Sequence, residues 1–214
     1  MNLVMIDNFP KEWQLRSASE IFEFINGKAF YSNGYADDGY IVVDLLNINL
    51  NGKFQLTKKD KYISSDIYQK FPKSHLYIND LIIIMTDITP TLGLIGKTAI
   101  IDQNNTYVLN QRVGCLRMLD KNNVSINFYN YMFNSEFVRR QVIRNTLGTA
   151  QFYINTPQIK NLIIPSPPLP EQKRIVAKVD ELMSLCDRLE EQINESKDNA
   201  DVLMQAVLKE AFEA

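Results

Sequence analysis

The chain has 214 residues, 45% of them hydrophobic and 22% charged, with a net charge of −2. That is enough to enclose one full core with residues to spare, and no apolar run approaches the roughly 18 residues a membrane span needs. The mild acidity argues against a sequence-blind nucleic-acid binder, while two lone cysteines, Cys115 and Cys186, exclude a disulfide framework and fit a reducing cytoplasm.

In chain order, the opening MNLVMIDNFPKEW has neither a basic nor an apolar targeting region, so no signal peptide is expected. A short helix is expected over Ser17–Phe24. Apolar or alternating runs predict strands at Tyr40–Leu46, Tyr77–Met85, Ala99–Ile101 and Val113–Met118. Turn signals at Gly34, Gly39, Asn51-Gly52 and Asn104-Asn105 separate them. Phe128, Met132, Phe137 and Val138 fall at roughly helical spacing and predict one helix over Ile126–Asn145, with Ser125 or Asn127 as its cap. A last strand over Asn161–Pro165 leads into a proline run. The body, residues 1–169, therefore reads as a mixed α and β domain of α+β class.

Residues 170–214 read as one long helix. Pro170 suits a first helical turn and Glu171 suits its dipole. Ile175, Val179, Leu182, Cys186, Leu189, Ile193, Ser196, Ala200, Leu203 and Val207 alternate in steps of four and three, an a/d heptad seam. Val176, Met183 and Leu185 widen the stripe in its first half, and Ser196–Asn199 interrupts it. A helix from 171 to 213 would run to roughly 65 Å, longer than a body of this size is wide, so the seam calls for a partner helix. The body carries a charge of +3 and the tail −5. Two surfaces with different partners would explain that split, and so would the usual Asp and Glu content of an exposed helix.

The sequence offers little catalytic chemistry. The single histidine, His75, and two distant cysteines make neither a zinc site nor a nucleophile pair. Gly93-Leu94-Ile95-Gly96-Lys97-Thr98 ends like a phosphate loop, but Thr91 stands where that loop needs its first glycine, and strand rather than helix follows. Pro167-Pro168 lacks the preceding Asn or Asp and the following aromatic residue found in amine-directed DNA methyltransferases. No methyl-donor glycine loop is present, and Asp37-Asp38 reads as solvated turn. No catalytic residue, cofactor or metal is expected.

Several segments nonetheless form a recognisable series. Pro10-Lys11-Glu12-Trp13 resembles a P-x-x-W entry. Leu81–Met85, Thr86-Asp87-Ile88 and Ile95-Gly96-Lys97-Thr98-Ala99 resemble a "GD-[IL]-L … IG-x-x-A" core, with Asn79 where glycine is usual. Gly148-Thr149-Ala150-Gln151, Ile159 and Ile164-Pro165 are similar to a closing "G-x-x-Q … IP-x-P" passage. Pro167-Pro168-Leu169-Pro170-Glu171-Gln172 followed by Ile175-Val176 resembles the PP-L-x-EQ-x-x-I hallmark, and Val207–Phe212 the LLK-x-AF ending, of specificity (S) subunits of type I restriction–modification systems. The likeness covers nearly the whole chain, with one recognition domain and one conserved helix where a full subunit has two of each.

The resemblance implies a non-catalytic, cytoplasmic subunit that reads double-stranded DNA. Its helix would form an antiparallel coiled coil, in a homodimer or with a second half-subunit. It would direct methyltransferase (M) and restriction (R) subunits to a bipartite site. The alternative is a dimerising scaffold or decoy that docks methyltransferase without strong DNA reading. The interface implied on the tail is Ile175, Val179, Leu182, Met183, Leu185, Cys186, Leu189, Ile193, Leu203 and Val207. For DNA, cations would hold phosphates and polar loop side chains would read bases. The candidates are Lys53, Lys58, Lys59 and Lys61; Thr86 and Thr89; Gln111 and Arg112; and Arg139, Arg140, Arg144, Asn145 and Gln151. Any single lysine among them can equally be a solvated surface charge, and Tyr31, Tyr35 and Tyr40 can contact DNA or pack at the core edge.

Overall fold

A computed structural model describes residues 9–88 and 91–212. The chain is α+β, ending in a long helix. β1 (Gln14–Ser17), α1 (Ala18–Ile21) and β2 (Phe22–Asn26) come first, then β3 (Tyr40–Val43), β4 (Lys61–Ile63) and α2 (Ser65–Lys70). β5 (Leu81–Ile84), β6 (Thr86–Asp87), β7 (Thr98–Ile100), β8 (Tyr107–Leu109) and β9 (Val113–Met118) supply most of the sheet. α3 (Ile126–Asn134), α4 (Glu136–Asn145), β10 (Phe152–Tyr153), α5 (Thr156–Lys160), β11 (Ile163–Ser166) and α6 (Leu169–Phe212) complete the order. Two compact units divide between Gln172 and Lys173.

In the first unit, an antiparallel sheet runs β2-β9-β5-β7. A second sheet runs β4-β3-β8, with β3 and β8 parallel. Their facing side chains meet in one cluster, where Ile82, Ile84, Ala99 and Cys115 pack with Ile41, Val43, Tyr107 and Leu109. β5 is buried at every position, which is why Leu81-Ile82-Ile83-Ile84 lacks polar alternation. α3 lies along β7. Its Tyr129 and Phe133 meet Phe22 edge to face, and its Asn130 accepts a hydrogen bond from the Thr98 hydroxyl at 2.8 Å. From β9 a half-buried Arg117 pairs through Nη2 with Oδ2 of the buried Asp80 at 2.6 Å.

Several boundaries differ from the sequence expectation, each for a local reason. The helix expected over Ile126–Asn145 is two helices, broken at Ser135, whose backbone is extended. Ser125, not Asn127, caps the first of them by accepting from the Phe128 N–H. The strand expected from Tyr40 to Leu46 stops at Val43, because Asp44 accepts from the Leu45 N–H and starts a 3-10 turn over Leu45–Asn47. The strand expected from Tyr77 begins only at Leu81; Asp80 ties back to the Tyr77 N–H, and Asn79 adopts φ +70°. That left-handed backbone is what the resemblance's usual glycine supplies at this position. Ser17 caps a single helical turn, after which Phe22 starts a strand rather than continuing the helix to Phe24. The last strand runs from Ile163 to Ser166 rather than from Asn161, where α5 has its C-cap, and it pairs antiparallel with β1. β1, β2, β4, β6, β8, β10, α2 and α5 were not expected; most are too short to show a period.

The apparent phosphate loop is a turn. Gly96, at φ +73°, donates its N–H to the Ile84 carbonyl and lies against α4, where an added Cβ would stand 2.6 Å from Val142 Cγ1. Thr98 continues as β7.

The proline run also has a structural purpose. Gln172, only 2% exposed, donates to the Pro167 carbonyl at 2.9 Å and accepts from the Ser125 N–H at 2.8 Å. One side chain thus joins the first turn of α6 to the start of α3. In the second unit, α6 continues as one unbroken helix to Phe212. Leu182, Leu185, Cys186, Leu189, Ile193, Leu203 and Val207 are exposed along it, and Ile175, Val179 and Met183 are half-buried. Among the described residues, no helix is long and apolar enough to cross a membrane.

Candidate nucleic-acid interface

Four of the predicted reading residues converge. Lys61 on β4, Thr86 on β6, Arg112 just before β9 and Gln151 just before β10 line one open cleft of about 480 Å³. Their separation in sequence closes because β3 pairs with both β4 and β8, while β10 pairs with β6 through Phe152↔Asp87 and Tyr153↔Thr86. Arg112 is fixed at the backbone, where its carbonyl accepts from Met85 and its N–H donates to Asn110 Oδ1. The Lys61 ammonium lies 4.9 Å from the Tyr35 ring centroid, so this tyrosine supports a cation.

Leu45, Leu46, Ile88 and Leu94 add an apolar wall to the cleft, and Asp44 and Asp87 contribute carboxylates. Both acids are used on nearby backbone. Asp44 accepts from Leu45 N–H at 2.6 Å. Asp87, 4% exposed, accepts from Leu94 N–H at 2.9 Å and Ile95 N–H at 3.2 Å. None of the six was a sequence candidate. A single Asp after a strand carries no periodic signal; for Asp87 the only pointer was its place in the Thr86-Asp87-Ile88 motif.

Arg139 faces inward. Its guanidinium donates to the carbonyls of Ile95 at 2.8 Å and Leu92 at 2.9 Å. Burial pulls it below its ordinary value, opposed by the Asp87 carboxylate. Burial lowers Lys97 too, and the Arg139 charge adds to that shift. Asp87 and Arg139 therefore hold the Leu92–Ile95 backbone from its N–H and carbonyl sides respectively.

The other candidates lie elsewhere. Arg144 and Asn145 border a separate cleft of about 500 Å³ with Gln141, Asn155 and Gln158. Arg140 pairs with Glu136 one turn earlier. Lys53, Lys58, Lys59 and Gln111 are exposed but do not line the main cleft. Asn49, Asn47 and Asp60 shape the lysine loop: Asn49 Oδ1 accepts from the Asn51 and Lys53 N–H groups, and Asn47 Nδ2 donates to Asp60. Thr89 lies outside the described residues. Tyr40 packs in a stack with Tyr68 and His75, at centroid separations of 3.7 and 3.6 Å. Among the described residues, no group of His, Cys, Asp and Glu is arranged to hold a metal ion.

Comparison with known proteins gives a consistent picture. The chain is 27% identical over 197 residues to the type I restriction enzyme MjaVIII specificity subunit of Methanocaldococcus jannaschii, covering 90% of this chain and 45% of that one. It is 28% identical over 204 residues to the EcoAI specificity subunit of Escherichia coli, covering 93% and 34%. The chain thus spans half or less of the length of these curated relatives. Among solved structures, a chain of a type I R-M system superposes with a TM-score of 0.73 at 19% identity, covering 96% of this chain and 47% of that one. The HsdS subunit from Thermoanaerobacter tengcongensis gives 0.67 at 22% identity, covering 94% and 50%. These likenesses carry the fold alone. At the level of sequence, residues 10–196 match the type I restriction modification DNA specificity domain, and the chain belongs to that family.

Proposed function

We propose that this chain is a DNA sequence-recognition subunit of a type I restriction–modification system, acting in the cytoplasm without catalysis of its own. The body, residues 1–169, reads one half of a bipartite duplex site. The helix, residues 170–214, pairs antiparallel with a second such helix and docks methyltransferase and restriction subunits. The observation that carries this reading is the convergence of Lys61, Thr86, Arg112 and Gln151 in one cleft of a chain that belongs to this family. Lysine and arginine meet phosphates or guanine, and glutamine meets adenine. The seam supports the rest: its apolar side chains stand exposed at coiled-coil spacing along α6, which disfavours a lone helix in water.

The test is duplex binding by the chain assembled with its methyltransferase subunits, titrated with salt. Sequence preference should persist while affinity falls log-linearly with salt. Capture of the methyltransferase with no preference among duplexes would leave only a scaffold and overturn the proposal. Methyl transfer by the isolated chain would overturn the absence of catalysis.

A further inference from the structure

We infer that the main cleft reads a thymine through its 5-methyl group, with Ile88 and Leu46 as the contacting side chains. The inference rests on the DNA-reading function just proposed and names the chemistry of one contact within it. Ile88 is 77% exposed and Leu46 is 49% exposed, yet both line the cleft that gathers the polar candidates. A single exposed apolar residue needs no explanation. Here Leu45 and Leu94 line it too, and the same cleft holds an amide, Gln151, and a guanidinium, Arg112. The cleft's acids are committed to their own backbone, Asp44 to Leu45 and Asp87 to Leu94 and Ile95. Beside them the cleft presents its apolar wall, the Lys61 and Arg112 cations, the Thr86 hydroxyl and the Gln151 amide.

That combination has a natural counterpart on duplex DNA. The major-groove edge of a thymine–adenine pair presents a methyl group beside an adenine donor and acceptor, and the minor groove presents no methyl. An aliphatic side chain covers the methyl while a glutamine amide bonds the adenine. The cleft therefore opens on the major groove, and the half-site contains at least one thymine read by apolar contact.

The experiment uses the chain assembled with its methyltransferase subunits. The half-site is first defined by methylation mapping. Each thymine in it is then replaced in turn by deoxyuridine, which removes only the methyl. At one position affinity should fall about four-fold, the worth of one buried methyl-sized group. The double variant Ile88→Ala, Leu46→Ala should bind thymine and deoxyuridine duplexes equally at that position. Its thermal unfolding and its assembly with the methyltransferase subunits should match the wild type, which separates lost reading from lost folding. A half-site without thymine, indifference to deoxyuridine at every position, or discrimination that survives in the double variant would each overturn the inference. A wild-type complex with no sequence preference at all would overturn the proposed function, and this inference with it.

Discussion

Arg139 and Arg112 carry the same side chain to different ends. Arg112 stands exposed at the cleft, whereas Arg139 donates to two carbonyls and holds the backbone leading out of it. Both follow from position: Arg139 lies on α4 where that helix faces the turn at Gly96, while Arg112 sits in the turn ahead of β9. Replacing Arg139 with Gln keeps polarity but loses the fork that reaches both carbonyls. Leaving a partly buried carbonyl without its donor costs about 1–3 kcal/mol, so the melting temperature should drop by several degrees, at roughly 2–4 °C per kcal/mol for a chain of this size. In the DNA assay Arg139→Gln should weaken preference among sequences more than overall affinity, because it loosens a positioning contact. An equal loss on all duplexes would instead make Arg139 a phosphate contact.

At the scale of elements, the turn leading into β7 shows what a sequence pattern hides. The run Gly93–Thr98 has the letters of a nucleotide loop, but its glycine at 96 is there for φ +73° and for contact with Val142. Gly96→Ala should therefore destabilise the chain by more than about 2 kcal/mol, combining left-handed strain with a clash. Thermal or denaturant unfolding measures it, and a neutral result would mean that α4 can withdraw freely. The long elements were legible because their patterned runs are long: α6 and β9 announce themselves by heptad spacing and by an apolar run. The break at Ser135 was not, since Phe133 and Phe137 on either side are four residues apart and keep a helical spacing through it. For the site, residue type near turn signals made Lys61, Thr86, Arg112 and Gln151 candidates. Their convergence was not legible, because it depends on pairings such as β6 with β10, only two residues long. Asp87 and Arg139, which shape the loop, look like any surface acid and base in one dimension.

For the whole molecule, the proposed association rests on the seam of α6. A two-fold pairing of two such helices is self-complementary, and it imposes its symmetry on the DNA, so a homodimer should recognise two identical half-sites in inverted orientation. Replacing Leu182 and Leu189 with Asp puts two charges on the apolar stripe. Sedimentation should find the double variant monomeric where the parent is dimeric at tens of micromolar. A parent already monomeric at that concentration, with or without methyltransferase subunits, would remove the pairing. An asymmetric site read by a complex containing only this recognition chain would remove the homodimer while leaving the body's reading intact.

Gln172 ties down the first turn of α6. Because one buried amide bonds both to the chain entering α6 and to the start of α3, the first turn cannot swivel without breaking two hydrogen bonds. Along any α-helix the residues run like a screw thread, each added one advancing it roughly 1.5 Å and turning it about 100°. Seven residues inserted within Ser196–Asn199 add roughly 10 Å and return the seam nearly to its starting azimuth. Half-sites should stay the same while their gap widens by about three base pairs at 3.4 Å each. Five inserted residues add about 7.5 Å but turn the distal seam by roughly 140° from its starting azimuth. Pitch and phase come apart in that pair of insertions: methylation mapping should find the seven-residue chain active at a longer site, and the five-residue chain silent.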